Sequence, residues 1–156
     1  MTINVSQLRR YVVDPVLLVL SPDIPYSTHA SDLLMGTAAQ ESDCGTWLHQ
    51  TVGPALGVWQ MEPATMRDHI AWLSTQHAIN DKVMGFAGRG DPVEQMPGNL
   101  YLACAMARVH YWRVQAAMPT TLDGQAAYWK QWYNTPAGGG SAVQYIQSYK
   151  RLMVAT

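Results

Sequence analysis

The stretch Gly98-Asn99-Leu100-Tyr101-Leu102-Ala103-Cys104-Ala105-Met106-Ala107-Arg108-Val109-His110-Tyr111-Trp112-Arg113-Val114 decides the fold class. Leu100, Ala103, Cys104, Ala107, Tyr111 and Val114 recur at three- and four-residue steps, the period of one helical face. Small or apolar residues also occupy most of the other face, which predicts a central buried helix. Downstream, Asp123 is expected to cap a helix through Trp132. Tyr133 to Gly140 then reads as a turn, and Ser141 as the cap of a last helix carrying Tyr145, Ile146, Tyr149 and Leu152. Upstream, Pro63 opens a helix through Met66, Ile70 and Leu73, and a short one covers Asn80 to Phe86. Trp47 to Met61 is rich in Gly and Pro without helical period, so a loop or small hairpin is expected there. Ser27 or Thr28 caps a helix with Leu33, Leu34, Thr37, Ala38 and Glu41 on its pattern and Gly45 as its stop. Nearer the N-terminus, Ser6 is the expected cap of a helix through Val13, continued from Asp14-Pro15 to Leu20. The chain reads as mainly α with little strand.

Composition narrows the classes of function. The 156 residues are 48% hydrophobic and 13% charged, enough apolar surface for one core and too little polarity for disorder. Ten Lys and Arg against eleven Asp and Glu leave a net charge of −1, so phosphate neutralisation of nucleic acid is not expected. The longest apolar run, Val16 to Leu20, is too short to span a bilayer, and Asp14-Pro15 interrupts anything like a secretory signal. Cys44 and Cys104 have no metal-ligand spacing and are expected reduced and buried. His29, His49, His69, His77 and His110 show no zinc-binding pairing, so neither metal nor cofactor is expected. The Arg89-Gly90-Asp91 triplet sits in an expected loop and reads as chance. Six Trp and eight Tyr beside one Phe mark an excess of aromatics that suits sugar-stacking surfaces as well as cores.

Glu41 is the residue with chemistry to offer. At the C-terminal end of an apolar helix, both the helix dipole and loss of water disfavour its charged form. A carboxylic acid kept neutral can serve as a general acid.

Three segments share an order with a known family: Glu41-Ser42, then Gly53-Pro54-Ala55-Leu56-Gly57-Val58-Trp59-Gln60-Met61-Glu62-Pro63-Ala64-Thr65, then Tyr133-Asn134-Thr135-Pro136-Ala137-Gly138-Gly139-Gly140. With the Gly90-to-Leu102 stretch that leads into the central helix, they resemble the motifs of lytic transglycosylases and goose-type lysozymes. The wording is also similar to small bacteriophage-encoded proteins of that kind. The resemblance covers about residues 30 to 150. It implies an α+β lysozyme-like fold in a single domain over 1–156, with an N-terminal helical extension over about 1–25. A small hairpin region would follow the helix that bears Glu41.

It further implies a glycosidase acting on the β-1,4 bond between N-acetylmuramic acid and N-acetylglucosamine of peptidoglycan. Glu41 would be the catalytic acid and then base, and Tyr133 would hydrogen-bond near its carboxylate and orient it. Ser42 would hold the Glu41 region or the substrate, Gln60 would present an amide to substrate, and Asn134 would fix the turn that presents Tyr133. The partners implied are glycan strands and other virion proteins. The implied site of action is the bacterial wall, after synthesis in a host cytoplasm, as an endolysin or a virion component.

The match departs from the family at Trp59, usually Met, at the additional Pro54, and at Glu62, often Met. Glu62 bears on mechanism. Lytic transglycosylases work with one carboxylate because the sugar's own 6-hydroxyl attacks. If Glu62 shares a strand face with Gln60, it becomes a candidate second carboxylate that activates water, as in a hydrolytic lysozyme. Alternatively it meets the N-terminus of the helix opened by Pro63. Asp43 is a weaker second candidate, expected to be solvated. A non-catalytic wall-binding protein on the same fold is a separate alternative.

Residues 1–78 hold three Arg against seven acidic residues, and residues 79–156 hold seven Lys and Arg against four. This polarity predicts that an anionic glycan is drawn to the second half, while Glu41 stays protonated among carboxylates. Trp47, Trp59 and Tyr133 are the expected sugar-binding wall.

Overall fold

A computed structural model describes residues 3–153, whose regular structure is almost entirely helical. The first helix, α1 (Val5–Leu8), is capped by Asn4, whose side-chain oxygen accepts from the Gln7 amide at 3.0 Å. Ser6, the expected cap, instead donates to that same oxygen. A π turn, Arg9–Val13, runs directly into α2 (Asp14–Leu20). Pro15 has no N–H for the helical ladder, and the wider turn just ahead of it absorbs the loss without ending the helix. Leu8, Val13, Val16, Leu17 and Leu20 are buried in the same apolar cluster as the rest of the chain. The described part of the expected N-terminal extension is therefore core, while Met1 and Thr2 lie outside the described residues.

Ser27 caps α3 (Thr28–Ser42), accepting from the Ala30 amide at 3.0 Å. The helix stops where Asp43, Cys44 and Gly45 all take positive φ, one glycine doing cheaply what two ordinary residues are forced to do. Between Trp47 and Met61 two isolated β-bridges, His49 to Leu56 and Leu56 to Met61, fold the chain into a small irregular hairpin region. Gly57 is required there: its φ is +77°, and a Cβ would lie 2.7 Å from the Met96 carbonyl.

Pro63 opens α4 (Pro63–Leu73) as expected. The next helix, α5 (His77–Met84), begins three residues earlier than the pattern suggested. A short α6 (Pro92–Gln95), starting at the end of the loop expected over Gly88 to Pro92, is capped by Asp91. Asp91 also pairs with Arg67 of α4 at 2.9 Å, which ties down the Arg-Gly-Asp triplet.

Asn99 caps α7 (Leu100–Trp112), whose residues from Leu102 to Val109 are all buried. This central helix packs against α2, α3, α4 and α5. Thr121, not Asp123, caps α8 (Leu122–Trp129), because the Thr121 hydroxyl is the oxygen that meets the Gly124 amide. A second π turn, Lys130–Asn134, prolongs that helix, so Tyr133 and Asn134 ride on helical backbone rather than in the turn predicted for them. Ser141 and Gln144 then form a reciprocal capping box at the start of α9 (Ala142–Met153). α9 lies closely along α3 because Gly36 leaves room for the Tyr145 ring, whose hydroxyl donates to the Leu33 carbonyl. Cys44 and Cys104 are free and buried. Among the described residues no helix is long and apolar enough to cross a membrane.

Candidate active site

The C-terminal end of α3, the hairpin region and the π turn after α8 converge on a cleft of about 490 Å³. Glu41 enters it from α3, Gln60 and Glu62 from the hairpin region, and Tyr133, Asn134, Thr135 and Gly138 from the opposite wall. His110 of α7 closes one end.

Glu41 is the most perturbed carboxyl. Burial raises its pKa from 4.5 to about 7, opposed by a hydrogen bond from Trp129. The Trp129 indole Nε1–H donates to Glu41 Oε1 at 2.8 Å. One carboxyl oxygen is thus fixed in a buried indole contact while the group still reaches the cleft. The cause is desolvation, not the neighbouring carboxylates expected to help.

The orienting role expected of Tyr133 therefore falls to Trp129. The Tyr133 hydroxyl donates instead to the Trp59 carbonyl at 2.7 Å, pinning the π turn to the hairpin region. Burial pushes the phenol well above its usual range, and the nearby Glu41 charge adds to this. Trp129 was missed from sequence although it stands four residues before Tyr133, one helical turn away on the same face. Gly140 lets the following loop close over that indole, since a Cβ there would lie 2.6 Å from Trp129 Cη2.

Ser42 is fully buried and cannot meet a substrate. Its hydroxyl donates to the Val58 carbonyl at 2.6 Å and accepts from the Gly45 amide at 2.9 Å, fastening the end of α3 to the hairpin region. Of its two expected roles, holding the Glu41 region is the one the geometry permits. Gln60 lines the cleft with φ +45°, its amide nitrogen donating to the Gly57 carbonyl at 2.7 Å. Asn134 also lines the cleft, and its Oδ1 accepts from Lys130 Nζ at 2.8 Å. Lys130 further donates to the carbonyls of Thr135 and Gly138, so it clamps the glycine-rich loop from inside.

Trp59 and Trp47 do not form the expected sugar-binding wall. Trp59 is fully buried and its indole donates to the Leu34 carbonyl at 2.9 Å, so both its apolar face and its polar tip are used by the core. Trp47 is exposed but lies beside Gln144 and Arg151, on a different surface from Glu41. Asp43 is not a free second carboxylate either: it forms an ion pair with Arg151 at 2.6 Å. Glu62 is exposed, occupies the N-cap position of α4 without a side-chain capping bond, and lines the Glu41 cleft. The two readings of Glu62 are thus compatible in space. No Lys or Arg is among the residues lining the cleft, and Lys130 is turned inward, so the expected cationic wall is absent from it.

Comparison of the chain with protein families, with curated proteins and with solved structures finds no match in any of the three.

Proposed function

We propose that the protein is a peptidoglycan-cleaving glycosidase of lysozyme-like fold, acting on the N-acetylmuramic acid to N-acetylglucosamine β-1,4 bond with Glu41 as acid and then base. The observation that carries this reading is the Glu41 carboxyl itself. It is largely desolvated, protonated up to about pH 7, fixed by Trp129 and open to a cleft lined by polar groups. Such a group can give its proton to the glycosidic oxygen as the bond to the anomeric carbon breaks. The resulting carboxylate then takes a proton from the nucleophile. If that nucleophile is the 6-hydroxyl of the same sugar, the product is a 1,6-anhydro sugar.

A second reading rests on Glu62, which faces the same cleft. An ionised Glu62 that removes a proton from water would make the enzyme a hydrolase and leave a reducing end. In either case the glycan would be held by the amide of Asn134, the Gln60 side chain and exposed backbone of the Thr135-to-Gly139 loop, without a cationic wall. The enzyme would reach the wall as an endolysin or within a virion.

Purified walls treated with the protein are expected to clear and release soluble muropeptides, and Glu41→Gln is expected not to do so. Equal release by both proteins, or release by neither on several wall types, would refute the enzymatic reading. Tight wall binding without released fragments would instead establish the non-catalytic alternative. Mass analysis separates anhydro from reducing-end products, which differ by one water.

A further inference from the structure

His110 lines both the Glu41 cleft and a second groove of about 760 Å³, bounded also by Asp68, His69, Arg113 and Trp132. Four contacts join these residues into one chain. His110 Nε2 lies 2.7 Å from the Trp132 carbonyl, and His110 Nδ1 lies 3.0 Å from His69 Nε2. His69 Nδ1 lies 2.7 Å from Arg113 Nη1, which also meets Asp68 Oδ2 at 2.6 Å.

Donor accounting assigns the protons. A carbonyl only accepts, so His110 Nε2 carries hydrogen and donates to Trp132. A guanidinium only donates, so His69 Nδ1 is an acceptor. The remaining His69 Nε2–H then donates to His110 Nδ1. Each ring holds one proton, and every hydrogen bond is satisfied. A further proton on His110 Nδ1 would confront the His69 Nε2–H, and one on His69 Nδ1 would confront Arg113.

We propose that His69 and His110 form a neutral clasp that positions the π turn bearing Tyr133 and Asn134, and that uptake of a proton by the pair opens it. The clasp joins α4 and α7 to the middle of that turn through Trp132. The His110 ring also stands edge-on to Tyr133, with centroids 4.8 Å apart. Both histidines are positioning residues.

The surrounding groups leave an added proton poorly compensated. Asp68 of α4 favours it but is paired with Arg113 at the C-cap of α7, which opposes it. Tyr111 of α7 and Tyr133 of the π turn are neutral phenols facing the His110 ring. Glu41, on α3 across the cleft, is itself protonated in acid. Burial accordingly holds both imidazoles below their ordinary range, His69 at about 3. The clasp is closed at neutral pH and opens on acidification.

The test is NMR on the full chain and needs no turnover, so its failure is distinct from failure of the glycosidase reading. At pH 7 both rings are expected as Nε2–H tautomers. From pH 7 down to about 2 the backbone amides of Trp132, Tyr133, Asn134 and Thr135 are expected to shift with the midpoint of the His69 and His110 rings. His110→Gln keeps an N–H for the Trp132 carbonyl and takes up no proton, and is expected to abolish the acid shift at these amides. His69→Gln keeps a donor for His110 Nδ1 and an acceptor for Arg113, and is expected to leave a shift that follows His110 alone. An Nδ1–H tautomer in either ring, or rings that protonate while the four amides stay put, overturns the proposal. So does a midpoint at those amides that neither substitution alters.

Discussion

Two helix ends face one another across the cleft, and they are secured by different chemistry. The end of α3, which presents Glu41, is fastened to the hairpin region by groups that do not titrate in the ordinary range: the Ser42 hydroxyl, the Val58 carbonyl and the Gly45 amide. The end of α8, which presents Tyr133 and Asn134, is fastened by Lys130, the His69–His110 pair and the Tyr133 phenol. In the proposed reaction the proton is transferred from the first wall, whose link to the hairpin region is indifferent to pH. The second wall transfers no proton in that reaction, and its scaffold contains the titratable His69–His110 pair. The separation lets Glu41 change charge without loosening the Ser42 anchor of its helix.

Glu41→Gln breaks the first wall's function with the largest effect. Loss of the acid is expected to reduce wall cleavage about 10²- to 10⁴-fold, measured as released muropeptide. The same variant is expected to be more stable than the parent in mild alkali. Below pH 4.5 Glu41 is protonated folded and unfolded, and its burial costs nothing through ionisation. Between 4.5 and about 7 the unfolded chain releases the proton while the folded one keeps it, so stability falls as pH rises. Above about 7 the penalty is complete, about 3 kcal/mol at 1.36 kcal/mol per pKa unit. Urea unfolding should therefore show a gain for Glu41→Gln at pH 8 and none at pH 4. A gain equal at both values would mean that the carboxyl is not desolvated.

Ser42→Ala is the next test, directed at the pH-indifferent scaffold. It leaves the Val58 carbonyl without its hydroxyl donor and the Gly45 amide without its acceptor, a loss of about 2 kcal/mol by denaturant unfolding. That loss is expected to be the same at pH 5 and pH 8, because no partner titrates between them. A loss confined to one pH would place Ser42 in a titrating network and erase the contrast between the walls.

How much of this was legible depends on whether a residue's role is set by neighbours in sequence or in space. The period through Leu100, Ala103, Cys104 and Ala107 describes a helix buried on nearly all sides, and α7 is that helix. Pro63, Ser27 and Ser141 mark helix starts through local backbone chemistry, and the structure uses all three. The π turn after α8 escaped because its extra residue depends on a distant partner, the Trp59 carbonyl that holds Tyr133. Trp59 was misjudged for a related reason. An indole whose N–H finds a carbonyl in the core is written identically to one that stacks on sugar, and only the Leu34 carbonyl distinguishes them. Glu41 was legible because its position at the end of an apolar helix coincided with the Glu41-Ser42 element of the resemblance. Trp129 was not, since only the approach of α8 to α3 makes it a partner.

The smallest effects separate tryptophans that composition treats alike. Trp129→Phe keeps most of the apolar volume and removes the N–H that favours the Glu41 carboxylate. Its expected signature is a rise of the Glu41 pKa above about 7, seen as an alkaline activity limb displaced to higher pH or by carboxyl carbon NMR. A downward displacement would contradict the assigned hydrogen bond. Trp47→Ala removes a larger exposed surface, yet that side chain lies beside Arg151 and Gln144, away from the cleft. Only its backbone carbonyl faces the site, toward Gln60, and the substitution preserves that carbonyl. Muropeptide release and its pH limbs should therefore stay as in the parent. If Trp47→Ala instead weakened substrate saturation at unchanged maximal rate, the glycan would have to extend over the surface between α3 and α9, and both walls described here would be only part of a longer binding site.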